Sequence, residues 1–159
     1  MKAKNLLNLW AEWLSTSEKL LRCLHEQTAA ITLRDVPRVE RLQPDLELYT
    51  ETLRGIDTKA VAEAQRLAEE LNARVQNLRG LVDVLDKNEG AQVQLTANKI
   101  VIASQTIRDV NAKNRKLIEG EMHYINGTLT LIAKAGAEKK GPYRTRKTSN
   151  TSILVDAAA

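Results

Sequence analysis

The chain has 159 residues, the size of one domain, and its 43% hydrophobic and 28% charged residues fit a soluble globular protein. Aromatics make up only 3%, with no Phe, and three prolines and seven glycines are few breakers for this length; both facts weigh against a sandwich or barrel and for a small number of long helices. The net charge is +4, but from Gly136 onward five basic residues (Lys139, Lys140, Arg144, Arg146, Lys147) face two acidic ones, leaving 19 basic and 18 acidic residues in the body. A nucleic-acid binder carries its excess on a folded face, so no nucleic-acid partner is expected.

The first predicted helix runs from about Asn5 to Leu33. Leu6, Trp10, Trp13, Ser17, Leu20, Leu24, Gln27 and Ile31 alternate steps of four and three, and Leu7, Leu14 and Leu21 widen the stripe. Asp35 is placed to cap a second helix from about Val36 to Arg54, with Pro37 in its first turn and Val39, Leu42, Leu46, Tyr49 and Leu53 on its stripe. Pro44 inside that run is expected to kink or break it. Gly55-Ile56-Asp57 reads as the next break. A third helix from Thr58 to about Lys87 is then expected, with Val61, Ala64, Ala68, Leu71, Val75, Leu78, Val82 and Leu85 in register. Gly90 reads as a turn, because an unbroken helix from Thr58 to Ala135 would exceed ~100 Å.

The fourth helix is expected over about Ala91 to Ala135. Its seam is Val93, Ala97, Ile100, Ser104, Ile107, Asn111, Asn114, Ile118, Met122, Ile125, Leu129 and Ile132. It is longer than the second helix, so part of its stripe outruns its partners. The expected fold is all-α: an elongated antiparallel bundle of three to four long helices over residues 1–135, then a flexible basic C-terminal tail over residues 136–159. The tail carries Tyr143 and a small apolar island, Ile153-Leu154-Val155.

Catalytic and metal-binding constellations are missing from the pattern. No phosphate loop, cysteine pair, HExxH or GxSxG occurs, and neither a cofactor nor an enzymatic activity is expected. His25-Glu26 on a helix invites comparison with a phosphorelay bundle, but the Gln-Thr-Ala that follows departs from that pattern. The lone Cys23 lies beside a leucine stripe and implies partial burial in a reducing compartment. No apolar run has the ~18 residues of a membrane span, and Asn8 and Glu12 interrupt any signal-peptide core. A cytoplasmic protein without direct membrane insertion is expected.

The remaining signal is polar residues in an apolar seam. Ser104, Asn111 and Asn114 either fix helix register or mark a groove open to a partner helix, and spacing alone supports both. The segment Asn111-Ala-Lys-Asn114-Arg-Lys-Leu117-Ile118-Glu-Gly120-Glu-Met122, continued by Ile125, Leu129 and Ile132 and followed by Tyr143, resembles the N-x-x-N-x-x-L-[LI]-x-G segment and tail tyrosine of the FlgN family of flagellar export chaperones. Leu24-His-Glu-Gln-Thr-Ala-Ala-Ile31 with Asp35 resembles that family's first helical hairpin. Gly141-Pro-Tyr143-Arg-Thr-Arg lacks the glycine usually found after the tyrosine.

The resemblance implies a type III export chaperone. Its clients would be hook-associated junction proteins of the FlgK/FlgL type, held by their terminal amphipathic helices. Client-binding candidates are Ile107, Asn111, Asn114, Leu117, Ile118, Met122, Ile125 and Leu129, read as helix-in-groove anchors, with Met122 the adaptable contact. Tyr143 matches the residue that docks on the cytoplasmic domain of the export gate protein FlhA. The competing expectation is a structural coiled-coil adaptor or scaffold, in which helix four pairs with itself in a homodimer.

Overall fold

The computed structural model describes residues 1–72 and 77–138, and every described element is helical: α1 (Lys4–Thr32), α2 (Val36–Glu70), α3 (Leu78–Val84) and α4 (Lys87–Glu138). The chain forms two compact units, Met1–Asn114 and Arg115–Ala159. The expected tail with Tyr143 and Ile153-Leu154-Val155 lies outside the described residues.

In the first unit, α1 buries Leu6, Trp13, Ser17, Leu20, Leu24, Gln27 and Ile31, seven of the eight heptad positions of its sequence, together with Thr16, Cys23 and Ala30; the eighth, Trp10, is half-buried. It ends in a Schellman turn: the Arg34 N–H reaches the Ile31 carbonyl at 3.0 Å and the Asp35 N–H reaches that of Ala30 at 2.9 Å. The residue in the left-handed conformation there is Arg34, at φ 56°. Asp35 then caps α2, its carboxylate accepting from the Arg38 N–H at 3.2 Å, with Pro37 in the first turn.

The expected break at Gly55 does not occur. α2 is one helix of 35 residues, about 52 Å long. Its buried residues are Leu42, Leu46, Leu53, Ile56, Ala60 and Leu67, an apolar stripe that passes straight across Gly55. A glycine there costs only about 1 kcal/mol of helix propensity, less than burying Ile56, Ala60 and Leu67 returns. Pro44 is exposed inside the helix and does not break it. The phase expected for a separate third helix is therefore wrong. Val61, expected on the stripe, is 59% exposed, and Leu67 is fully buried.

α2 stops at Leu71, with Asn72 left-handed at φ 50°, a conformation that asparagine tolerates. The short α3 starts under an Asn77 cap, whose side-chain oxygen accepts from the Gly80 N–H at 2.9 Å. Asp86 caps α4, accepting from the Asn88 and Glu89 N–H groups at 3.0 Å each. Gly90 lies in the first turn of α4 and does not form a turn of its own. An added Cβ would stand 3.0 Å from the Val82 carbonyl oxygen and 3.3 Å from Val82 Cγ1. The glycine is what lets α3 cross the start of α4.

Two apolar clusters hold this unit. Trp13, Leu20, Cys23, Leu24 and Ala30 of α1 meet Leu42, Leu46, Leu53 and Ile56 of α2, with Ile100, Ala103, Ile107 and Val110 of α4 against them. The other cluster joins Ala3 and Leu6 to Ala60, Leu67, Leu81, Leu85 and Val93. The start of α1 thus meets the end of α2, so these two helices are antiparallel. Val93 lies near Leu6 and Asn114 near Gln27, so this part of α4 runs parallel to α1. The start of α1 has no cap of its own; instead the Ala3 N–H donates to the buried Glu89 carboxylate of α4, a negative group at a helix N-terminus.

Candidate functional site

Asn114 is the last buried residue of α4. It is 1% exposed, and its amide is fully engaged with α1. Nδ2 donates to the Leu24 carbonyl at 3.0 Å and to Gln27 Oε1 at 2.9 Å, and the Thr28 hydroxyl donates to Oδ1 at 2.5 Å. The same hydroxyl lies 3.0 Å from the Leu24 carbonyl, so one hydrogen is shared between two acceptors. A buried amide with three partners fixes where α4 sits along α1. Its partner Gln27 was visible as a polar residue on the α1 seam; that the two face each other was not, because the offset between helices is not written in either stripe.

Asn111 is exposed. With Ile107 it lines an open cleft of about 580 Å³ in the first unit. The apolar floor is Trp13, Leu20 and Leu24 of α1 with Leu46 and Leu53 of α2 and Ile107 of α4. Polar walls rise on α2 (Gln43, Glu47, Thr50, Glu51, Arg54, Asp57) and on α4 (Ser104, Arg108, Asn111). The α2 wall was missed from sequence, since these residues read as an ordinary solvated face. The indole N–H of Trp13 is buried without a hydrogen bond of normal geometry. It acts on the carboxyl of Asp57, favouring its ionised form, but burial is the larger influence and pushes that carboxyl up from its ordinary value.

The second unit presents the continuation of the α4 seam by itself. Ile118, Met122, Ile125 and Ile132 are 41%, 53%, 47% and 59% exposed, and Leu117 and Leu129 are half-buried. Ile118, Met122, Ile125, Leu129 and Ile132 recur in steps of four and three, one face of a helix. Apolar side chains at this spacing with this exposure are unusual on a surface with no partner. Of the expected client-binding residues, Ile107 and Asn111 share the cleft, Asn114 lies inside the first unit, and Leu117, Ile118, Met122, Ile125 and Leu129 form the stripe of the second.

His25 is exposed, and Cys23 is buried with its thiol pushed up, by burial first and then by Asp45 and Glu26. Among the described residues no group of three or more His, Cys, Asp or Glu could hold a metal, and no helix is long and apolar enough to cross a membrane.

No curated protein and no solved structure matches the chain. The family model described as FlgN protein matches residues 1–151, which takes in both hairpin helices, the cleft, the Asn114 node and the exposed stripe. The chain belongs to the FlgN family, a family of flagellar export chaperones.

Proposed function

We propose that this chain is a cytoplasmic chaperone for hook-associated proteins of the FlgK/FlgL type, and that it holds their terminal amphipathic helices on the stripe Leu117, Ile118, Met122, Ile125 and Leu129. The observation that carries this reading is the four-three recurrence of apolar residues that remain exposed along α4 after Asn114. A client helix laid on that stripe buries apolar surface on both partners at about 25 cal/mol per Å². Covering the client's coiling face keeps it soluble and delays its assembly. The unbranched Met122 adapts to more than one client. Ile107 and Asn111 belong to the first unit and are proposed as separate client contacts there. Asn114 contributes by positioning α4, since its own polar atoms are engaged with α1. Delivery falls to Tyr143, docking on the cytoplasmic domain of FlhA.

Coexpression with FlgK- or FlgL-type proteins gives a soluble complex on this reading, and calorimetry with their terminal helices gives saturable binding. Ile118→Asp abolishes that binding while the far-ultraviolet circular dichroism stays unchanged, because Ile118 is outside both apolar clusters. Absence of binding by the intact chain overturns the proposal. The same stripe could pair with a second copy in a scaffold. Sedimentation showing a stable dimer that Ile118→Asp splits, with no client bound, favours that alternative.

A further inference from the structure

The part of α4 beyond Asn114 is a helix with little to hold it. Among the described residues, neither apolar cluster includes a side chain beyond Val110, and none beyond Asn114 is buried. Residues 115–138 carry three of the chain's seven glycines, Gly120, Gly127 and Gly136, whereas α1 has none. Nothing lies within 4 Å of a Cβ added at any of the three, so no close approach requires a glycine there. Glycine is the poorest helix former after proline, and Ile118, Ile125, Thr128, Thr130 and Ile132 add β-branched side chains of middling propensity. In α2 the same weakness at Gly55 is offset by the burial of Ile56, Ala60 and Leu67. Beyond Asn114 no such burial offsets it. Gly120 and Gly127 stand seven positions apart, and at about 100° per residue they fall on the side of the helix opposite Ile118, Met122, Ile125 and Leu129. These two glycines therefore weaken the helix without touching its apolar face.

We propose that residues 115–138 form a conditional helix, which opens and closes from its Glu138 end while the Met1–Asn114 unit stays folded, and which a client helix laid on the stripe holds closed. The second half rests on the function proposed above. Opening runs inward turn by turn, because α4 is already helical up to Asn114 and closing needs no new nucleus. It stops at Asn114, whose amide is bound to α1. Propagation constants near or below 1 for residues of this kind leave the turns beyond Gly120 open about half the time. Ordering them uses part of the free energy of binding, so the client is held less tightly than the covered area alone would give. That suits a carrier that has to release its cargo.

Hydrogen exchange of the full chain, with and without a peptide of an FlgK-type terminal helix, tests this. In the free chain, amides of 116–138 exchange more than about a hundredfold faster than those of 17–31 in α1, with rates rising toward Glu138. Saturating peptide slows the first group and leaves the second unchanged. Gly120→Ala slows exchange beyond that position about fivefold, and Gly120→Ala/Gly127→Ala slows it beyond residue 127 about 25-fold, the ratios set by glycine-to-alanine propensity. By calorimetry the same pair tightens peptide binding about twofold or more, although neither residue faces the stripe. Amides of 116–138 as slow as those of α1 overturn the proposal, and peptide binding that persists alongside them leaves the client reading standing. An alanine pair that changes neither exchange nor affinity overturns it too. So does a shifted urea midpoint of the Met1–Asn114 unit in that variant, which would tie these glycines to the first unit. Fast exchange with no peptide bound by any variant overturns the client reading, and the client's closing of the helix with it.

Discussion

Replacing Asn114 by leucine tests whether the buried amide holds α4 in place. The side chains are similar in size, so the change is chiefly in polarity. Asn114 makes three hydrogen bonds, to the Leu24 carbonyl, Gln27 and Thr28. Two of the three partners recover on their own. The Leu24 carbonyl keeps the Thr28 hydroxyl at 3.0 Å, and that hydroxyl is then donated to one acceptor. Gln27 Oε1 is the group left without its donor, in a residue only 8% exposed. Stranding a buried polar atom costs about 1–3 kcal/mol, and the net loss of a hydrogen bond adds about 1. The expected destabilisation of the Met1–Asn114 unit is about 2–4 kcal/mol, read as a lower urea midpoint at unchanged m-value in circular dichroism. The double variant Asn114→Leu/Gln27→Leu removes both partners and recovers most of the loss, giving a coupling energy of about 1–2 kcal/mol. A single-variant effect under about 0.5 kcal/mol, or a double variant that sums the two singles, would refute an engaged amide at this place.

Two glycines on helices give opposite signs. Gly55→Ala stabilises by about 1 kcal/mol in thermal melts, since open space surrounds that position, while Gly90→Ala destabilises by about 1–3 kcal/mol because backbone at Val82 stands in the way. Glu89→Ala lowers stability by about 1–2 kcal/mol in urea titration, because the Ala3 N–H loses a charged acceptor at a helix start. Asp57 gives a pH signature. Burial raises its folded-state value above the ordinary 3.8, so the unfolded chain releases that proton first. Its favourable contribution is complete below 3.8 and lost as pH rises through the folded value. Asp57→Asn accordingly removes this pH dependence, read as a flatter profile of melting temperature against pH between about 3 and 7. Tyr143→Ala leaves client binding intact and reduces export in a secretion assay.

The hairpin was legible because its signals are local. Asp35 and Pro37 marked the start of α2, and the α1 heptads marked which residues are buried. The end of α2 was misplaced because Gly55 is a weak breaker set in an unbroken stripe, and choosing it moved the phase onto Val61 and away from Leu67. Asn72 and Asn77, which take the left-handed and capping positions at the true ends, carry the better signal. At the site, the seam of α4 was readable as far as Ile132. Asn111 and Asn114 are one helical step apart, and periodicity places both on the same face. Only the position of α1 separates them, one at the edge of the cleft and the other against Leu24, Gln27 and Thr28. The cleft itself is a property of three helices together, and its acidic wall has no signature within α2.

Polar ties join α1 and α4 at two places, and one bond at each has the same separation: Ala3 to Glu89 is 86 positions, and so is Thr28 to Asn114. The helices therefore keep step with one another for seven turns between two fixed points, like rails between fishplates. A residue inserted into either helix between those points would move one tie by about 100° around its axis and 1.5 Å along it, and only one of the two could then close. A residue inserted beyond Asn72 and before Asn77 changes neither interval. Natural length variation in relatives of this chain should therefore collect in that connection and spare residues 89–114.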